Sequence, residues 1–321
     1  WGWTNNVGGG DFFALFDREG NHLHHLGMRT TYVRQGPCLT EVIYAGGMGD
    51  GITHSATVSL ARTDDVVRGI YRLRMDVKKA VEFSRFVVFQ VGADTYNSSK
   101  ERKMAMGNES GLIKEWQTQW GGGVYRMQPM ECAGRIPWMS LHEGQATHDV
   151  EKGPWANRGI VIRQWKAKLG GKEASPWISE HGLTKFGQES STLDLVPPPG
   201  ITHLEPGDYV EATIEHVVMP QFAGDYYGPN VALREALTKD ENTWRMIHRE
   251  AVGNDRCVEM KVGLLQRMFP AISIQAANDQ AEFTLTGGLG YVPITISGLS
   301  TPTGFTFLVD EIGRASCRKE C

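Results

Sequence analysis

The sequence predicts an all-β fold: a large antiparallel two-sheet β-sandwich with one short helical insertion. Three observations predict it. Apolar and polar residues alternate with period two along many segments, the pattern of strands buried on one face. The 38 glycines, with Pro, Asp and Asn, fall in clusters between those segments, as turn residues do. Helical periodicity is confined to one stretch near residues 230–251.

Residues 67–77 carry the alternation most fully. Val67, Gly69, Tyr71, Leu73, Met75 and Val77 share one face; Arg68, Arg72, Arg74 and Asp76 take the other, with Ile70 the exception. Met75 is therefore expected in the core. Phe83 to Val91 follows after a short charged connection, and the two strands are expected to pair antiparallel. Further strands are expected near 12–16, 30–34, 39–45, 54–61, 124–128, 159–166, 208–218, 257–265, 271–275, 281–286, 291–297 and 305–309. Asn230 to Leu237 reads as a short helix. Thr238-x-x-Glu241 then forms a capping box ahead of Glu241 to Ala251, where Trp244, Ile247, His248 and Ala251 share a face. The stretch 167–206, which includes Pro197-Pro198-Pro199-Gly200, is expected as a long surface excursion inside one domain rather than a linker. So many strands with one helical insertion favour two large sheets packed face to face.

With 321 residues, 40% of them hydrophobic, the chain has the length and composition to bury a substantial core. Its net charge of −4 does not suit a nucleic-acid groove, which needs a basic face. No apolar stretch reaches the length of a membrane span. Neither nucleic acid nor membrane is expected as a partner. The chain opens on Trp1-Gly2-Trp3 and closes on Glu311-Ile312-Gly313-Arg314-Ala315-Ser316-Cys317-Arg318-Lys319-Glu320-Cys321. The first eight of these closing residues resemble a translated sequencing adapter, from which Lys319-Glu320-Cys321 departs. The expectation is a metagenomic fragment of a longer protein, with residues 1–310 one large domain and 311–321 a non-native or disordered tail. The alternative is a genuine basic, Cys-bearing tail. Without it, Cys38, Cys132 and Cys257 remain, too few for a disulfide framework or a zinc pattern.

Strand length, strand order and aromatic content over residues 1–310 resemble the supersandwich (galactose-mutarotase-like) domains of carbohydrate-active enzymes. Such domains occur as epimerases, as the sandwich half of polysaccharide lyases and as accessory parts of glycoside hydrolases. The resemblance thus implies a glycan-related role. The nine Trp agree with it, because an indole stacks on the C–H face of a sugar ring, although most are accounted for as core by size alone.

Residues 131–158 are the densest candidate stretch. They run Glu131-Cys132-Ala133-Gly134-Arg135-Ile136-Pro137-Trp138-Met139-Ser140-Leu141-His142-Glu143, then reach Trp155-Ala156-Asn157-Arg158. Lacking clear alternation, they read as loop, and loops on a rigid sandwich are where sites concentrate. Trp138 and Trp155 would stack on sugar rings, with Asn157 beside them. Arg135 and Arg158 would hold a uronate carboxylate in bidentate fashion, and His142 or Glu143 would move a proton. The competing reading has both Trp packing a long loop onto the sheet. A second candidate loop, Pro220 to Asn230, offers Asp225, Tyr226 and Tyr227: a stacking platform with an acid or phenol close by. Tyr is the proton donor in many polysaccharide lyases of the resembling architecture. A rigid turn into the helix is the alternative.

Other motifs resolve to structure. His142 and His148 are too far apart for His-Glu-x-x-His. His22-x-His24-His25 supplies too few ligands for a metal site and reads as a polar hairpin turn. Gly8-Gly9-Gly10-Asp11 and Gly121-Gly122-Gly123 match no phosphate loop. In the strand at 208–218, His216 shares the apolar row with Val210, Ala212, Ile214 and Val218 and is expected as a hydrogen-bonded core residue. Glu211 and Glu215 lie in the opposite row, expected to line a concave cleft but too far apart along one strand for an acid/base pair. Asn97-Ser98-Ser99 and Asn108-Glu109-Ser110 fit the glycosylation pattern.

The functional expectation is a carbohydrate-binding or carbohydrate-processing sandwich of an extracellular or periplasmic polysaccharide-degrading protein. Its partners would be a poly- or oligosaccharide and a domain upstream of Trp1. In the enzymatic form it is a lyase acting on uronate-containing glycans, with Tyr226, Tyr227 or His142 as acid or base. No cofactor or metal is expected. The alternative is a non-catalytic structural module that packs on a missing domain or assembles with partners.

Overall fold

In the computed structural model, residues 10–35, 39–61, 67–92, 101–119, 129–143, 157–185, 188–219, 258–267, 272–285, 294–301, 305–309 and 314–319 are described, and strand is the regular structure they form. The all-β expectation holds across them. The helical insertion expected over 230–251 and the strand expected at 124–128 lie outside the described residues.

In chain order the strands are β1 (Gly10–Phe16), β2 (His25–Gln35), β3 (Leu39–Met48), β4 (Ile52–Ala61), β5 (Val67–Val77) and β6 (Val81–Glu82). There follow β7 (Arg85–Gly92), β8 (Glu101–Asn108), β9 (Gly111–Gln119), β10 (Met130–Glu131), β11 (Trp138–Glu143) and β12 (Asn157–Leu169). Next come β13 (Lys172–Glu173), β14 (Trp177–Lys185), β15 (Gln188–Val196), β16 (His203–Leu204), β17 (Tyr209–Met219) and β18 (Val258–Val262). The last are β19 (Leu264–Arg267), β20 (Ile272–Gln275), β21 (Gln280–Leu285), β22 (Ile294–Ser297), β23 (Phe305–Val309) and β24 (Arg314–Lys319). The chain gathers into two compact units: Trp1–Thr31, Val42–Val58 and Val66–Thr238 make one, and Tyr32–Glu41, Ser59–Asp65 and Lys239–Cys321 the other.

Two antiparallel sheets build the first unit. One runs β1-β7-β15-β14-β10; the other runs β2-β3-β4-β5-β17-β12-β11-β8-β9, with β13 alongside β12. Between them lies one apolar core. Phe12, Leu15, Phe86, Phe89, Val91, Leu193 and Leu195 come from the first sheet and Met75, Met104, Met139, Ile160, Ile162 and Ile214 from the second. The alternation of β5 works as expected: Leu73, Met75 and Val77 are buried in this core, with Tyr71 packed on its margin. Ile70, the exception in the pattern, is buried as well, on the opposite face.

Two expectations fail here. β5 pairs with β17, Met75 opposite Val210, whereas Phe83 to Val91 falls in the other sheet, where β7 pairs with β1 and β15. The short connection between β5 and β7 is therefore an arch that carries the chain across the core. The stretch 167–206 is no surface excursion either, because it holds β14 and β15, which place Ile178, Leu193 and Leu195 in the core. Its Ser, Thr and Gly content hid the inward positions. The turns around it are tied by Asp208, a buried carboxylate that accepts hydrogen bonds from the N–H groups of Gly170 at 2.7 Å, Gly171 at 3.1 Å and Glu205 at 2.8 Å.

The second unit carries an antiparallel sheet, β18-β21-β24-β23, and a smaller one, β19-β20-β22, in which β20 and β22 run parallel. Val258, Leu265, Ile272, Ile274, Ala281 and Phe283 form its core. Between β20 and β21 the chain reverses over Asn278 (φ 51°) and Asp279 (φ 58°), residue types that tolerate the left-handed conformation a tight primed turn requires. Residues Arg314–Lys319, set outside the fold by the sequence reading, form β24 between β21 and β23, with Cys317 opposite Ala281 on one side and Phe307 on the other.

Candidate functional site

Antiparallel pairing decides where the candidate segments attach. Leu141 stands opposite Arg158 and Glu143 opposite Arg102, while Asn157 stands opposite Met219 and Glu101 opposite Gln119. The end of β11, the start of β12, the end of β17, the start of β8 and the end of β9 therefore lie at one end of the large sheet. The chain segments 93–100, 120–128, 144–156 and the one following Met219 all attach there. The other end of the same strands is closed by tight described turns. Asn108 pairs with Gly111 across the β8–β9 turn, Gly170 and Gly171 bind Asp208, and the backbone N–H groups of Arg135 and Ile136 donate to the Glu109 carboxylate at 2.9 Å each.

This geometry sorts the candidate residues. His142 lies in β11 opposite Lys103, and Asn157 and Arg158 open β12, so the backbones of all three occupy the end where those segments attach. Residues 138–143 and 157–158 are thus strand, where loop was expected. Trp155, Asp225, Tyr226 and Tyr227 lie outside the described residues; each belongs to a segment attached at that end. Arg135 does not join them. It is exposed in the turn at the opposite end, so it and Arg158 are not brought together on one carboxylate. The Glu109 carboxyl in that turn is held below the usual carboxylate range by the Ile136 N–H first, then by its own backbone and the Arg135 N–H.

Trp138 offers no stacking face. It is 1% exposed, packed with Ala105, Val161 and Val217, and its Nε1–H donates to the Asn108 carbonyl at 3.2 Å. Gly107 makes room for the ring: a Cβ there would collide with Trp138 Cζ2 and lie 2.6 Å from Cε2. The indole is a core plug on the outer side of the sheet. The sequon at Asn108 is likewise structural, since its side chain accepts from Ser110 N–H at 2.8 Å and donates to the Ala133 carbonyl at 3.2 Å.

The carboxylate row of β17 lines no cleft. Glu215 is buried and paired with Arg163, whose Nε and Nη2 lie 2.8 and 2.7 Å from Glu215 Oε2, both side chains being 1% exposed. Glu211 is exposed and paired with Arg74, which also binds Asp76. His216 is buried as expected, beside Tyr71 and Phe89.

Three polar features escaped the sequence reading. Arg163 reaches Glu215 because the β12–β17 register shifts between Ile162 and Gln164, and such bulges re-aim side chains. In the smaller sheet, buried Asp194 accepts from Arg85 Nη2 at 2.5 Å and Gln90 Nε2 at 2.8 Å. His25 Nδ1 meets His54 Nε2 at 2.8 Å, although the two stand 29 residues apart in sequence. The Asp194 and His25–His54 sites join groups from separate strands, which no local motif announces. Among the described residues no group of three His, Cys, Asp or Glu is placed to hold a metal ion. Nor, among them, is any helix long and apolar enough to cross a membrane.

Comparison with solved structures finds α-galactosidases, those from Geobacillus stearothermophilus being of glycoside hydrolase family GH36. The enzyme from Lactobacillus brevis has 10% identity and a TM-score of 0.40, over 75% of this chain and 33% of that one. AgaB from Geobacillus stearothermophilus has 10% identity and a TM-score of 0.38, over 65% of this chain and 30% of that one. AgaA from the same organism has 11% identity and a TM-score of 0.37, over 65% and 30%. The matched part of this chain thus spans about a third of the length of those enzymes. No protein-family model and no curated protein matches the sequence.

Proposed function

We propose that the chain is a carbohydrate-binding β-sandwich whose glycan site lies at the end of the large sheet where β11, β17 and β9 finish and β12 and β8 begin. The observation that supports this reading is the register. Glu143, Asn157 and Met219 terminate neighbouring strands, so the segments carrying Trp155 and Asp225-Tyr226-Tyr227 attach side by side. A sugar site needs stacking surface and polar fixers within a few ångströms, and convergence of loops on a rigid scaffold is how a fold supplies both. The finer form of the reading is β-elimination of a uronate glycan. Arg158 would neutralise the carboxylate and Tyr226, Tyr227 or His142 would move the proton; Arg135 is too distant to share the task. Such a role suits an extracellular or periplasmic protein acting beside a further domain of the same chain.

Binding is tested by affinity electrophoresis and calorimetry of the whole chain with oligogalacturonate and a neutral galacto-oligosaccharide. Trp155→Ala and Tyr226→Ala should each weaken binding about tenfold or more, the loss of one stacking contact, without shifting the unfolding midpoint. Unchanged affinity in both variants would remove the proposed site. Appearance of an unsaturated uronate product, abolished in Tyr226→Phe or Tyr227→Phe, would mark the lyase form.

A second reading, a structural module, draws on a different observation. Among the described residues β9 is an outer strand of the large sheet, and Leu112 and Ile113 on it are exposed. Edge strands with bare apolar residues are surfaces on which partners assemble.

A further inference from the structure

We propose that His25 and His54 form an acid-operated latch that holds the start of edge strand β2 onto the large sheet. The proposal is independent of the glycan site. It begins with the sheet order: β2 and β4 flank β3, so their side chains meet only by reaching over it. β3 carries Gly46 and Gly47 at that point; a Cβ on Gly46 would lie 2.9 Å from the Leu26 carbonyl and collide with Met28 Sδ. With the strand between them pared down, His25 Nδ1 comes to 2.8 Å from His54 Nε2, the ring centroids 4.7 Å apart.

The contact tolerates neutral rings and a single added proton, because one nitrogen donates and the other accepts. Two protonated rings would set a donor against a donor and a cation against a cation, in a place where water offers little screening. His54 is 4% exposed. The Phe12 and Phe13 rings lie 6.3 and 5.8 Å from it, and Phe13 itself sits at φ 54°, an uncommon conformation for a bulky residue. Among the described residues, ring contacts bring to the pair His22, its ring 6.3 Å from that of His25, then His24 at 5.3 Å from His22, and Tyr44, packed on Phe12. A proton on His25 adds positive charge beside His54 and opposes a second proton there.

Burial first, and then the positive charge on His25, hold the His54 imidazole down at about 4 against an ordinary 6.5; the Gly47 backbone acts the other way and is outweighed. The sign follows. A histidine depressed in the folded chain binds its proton more readily when unfolded, so this contribution is intact above about pH 6.5 and fades as the pH falls toward 4. Among the described residues β2 is an outer strand of its sheet, so its first residues are the place where that loss is released locally.

The test is amide hydrogen exchange of the full chain, read by peptide and corrected for the intrinsic effect of pH. Between about pH 7.5 and pH 4.5, peptides over 25–31 should lose about tenfold in protection while those over 85–92 keep theirs. His54→Phe, which keeps a ring in the aromatic box and removes the titration, should abolish the change. An imidazole titration by NMR on the wild-type chain gives a readout that needs no variant: one ring coupled to a second should resist protonation to about pH 4. Protection over 25–31 that ignores pH, a loss spread equally over both sheets, or a His54 that titrates at its ordinary value would each overturn the latch.

Discussion

Met75→Asp is expected to unfold the first unit. The side chain is 0% exposed, lies in the core between the two sheets and belongs to a strand paired directly with β17. A carboxylate there has apolar neighbours on the core side and no room to reach water. It must either stay charged without solvation or take up a proton, and both cost stability. A loss of about 4 kcal/mol or more is expected, enough to consume much of the stability of a domain. Denaturant titration checks it, with Met75→Leu as a control that keeps volume and polarity and should cost under about 1.5 kcal/mol. Cooperative folding of the Asp variant near the wild-type midpoint would mean that this face of β5 is not core.

Glu215→Ala should have the next largest effect. Arg163 and Glu215 are each 1% exposed on the side of the large sheet away from the main core. Removing the carboxylate leaves a guanidinium buried without its counter-charge, a change that typically costs about 3–5 kcal/mol. The pair itself contributes far less than that figure, since both ions were desolvated to form it. Replacing both partners together, Arg163→Met with Glu215→Leu, should therefore recover most of the loss. A double-mutant cycle in denaturant measures this directly. If Glu215→Ala alone were neutral, the pair would be solvated in solution and the bulge at Arg163 would have another cause.

Strands whose two rows differ in chemistry were legible. The alternation over 67–77 and 208–218 placed Leu73, Met75, Ile214 and His216 on the correct row, because an apolar row opposite a polar one reports which side meets the main core even where the polar row is itself buried, as Thr213 and Glu215 are. Strands apolar on both faces were not. Met104, Ala105 and Met106 are all buried, as are Trp138, Met139 and Ser140, so β8 and β11 carry no alternation to read and 138–143 passed for loop. Pairing partners were also hidden: nothing in Lys78-Lys79-Ala80 distinguishes a hairpin from the arch that sends β7 to the opposite sheet. For the candidate residues, His142, Asn157 and Arg158 lie at the end of the large sheet where the candidate segments attach, whereas Trp138 is buried and Arg135 lies in a turn at the opposite end. A Trp reads the same in sequence whether it plugs a core or faces a sugar. What separates the two here is Gly107, which removes its own side chain to admit the indole.

The most direct measurement of the central claim is a hydrogen-exchange footprint of the whole chain with and without saturating oligogalacturonate. Protection should appear in peptides ending at Glu143, beginning at Asn157 and ending at Met219, where neighbouring strands meet the candidate segments. Turn peptides at 108–111 and 133–137, at the other end of the same strands, should be unaffected. Protection confined to those turns or to the edge strands β2 and β9, with none at the three strand ends, would contradict the site.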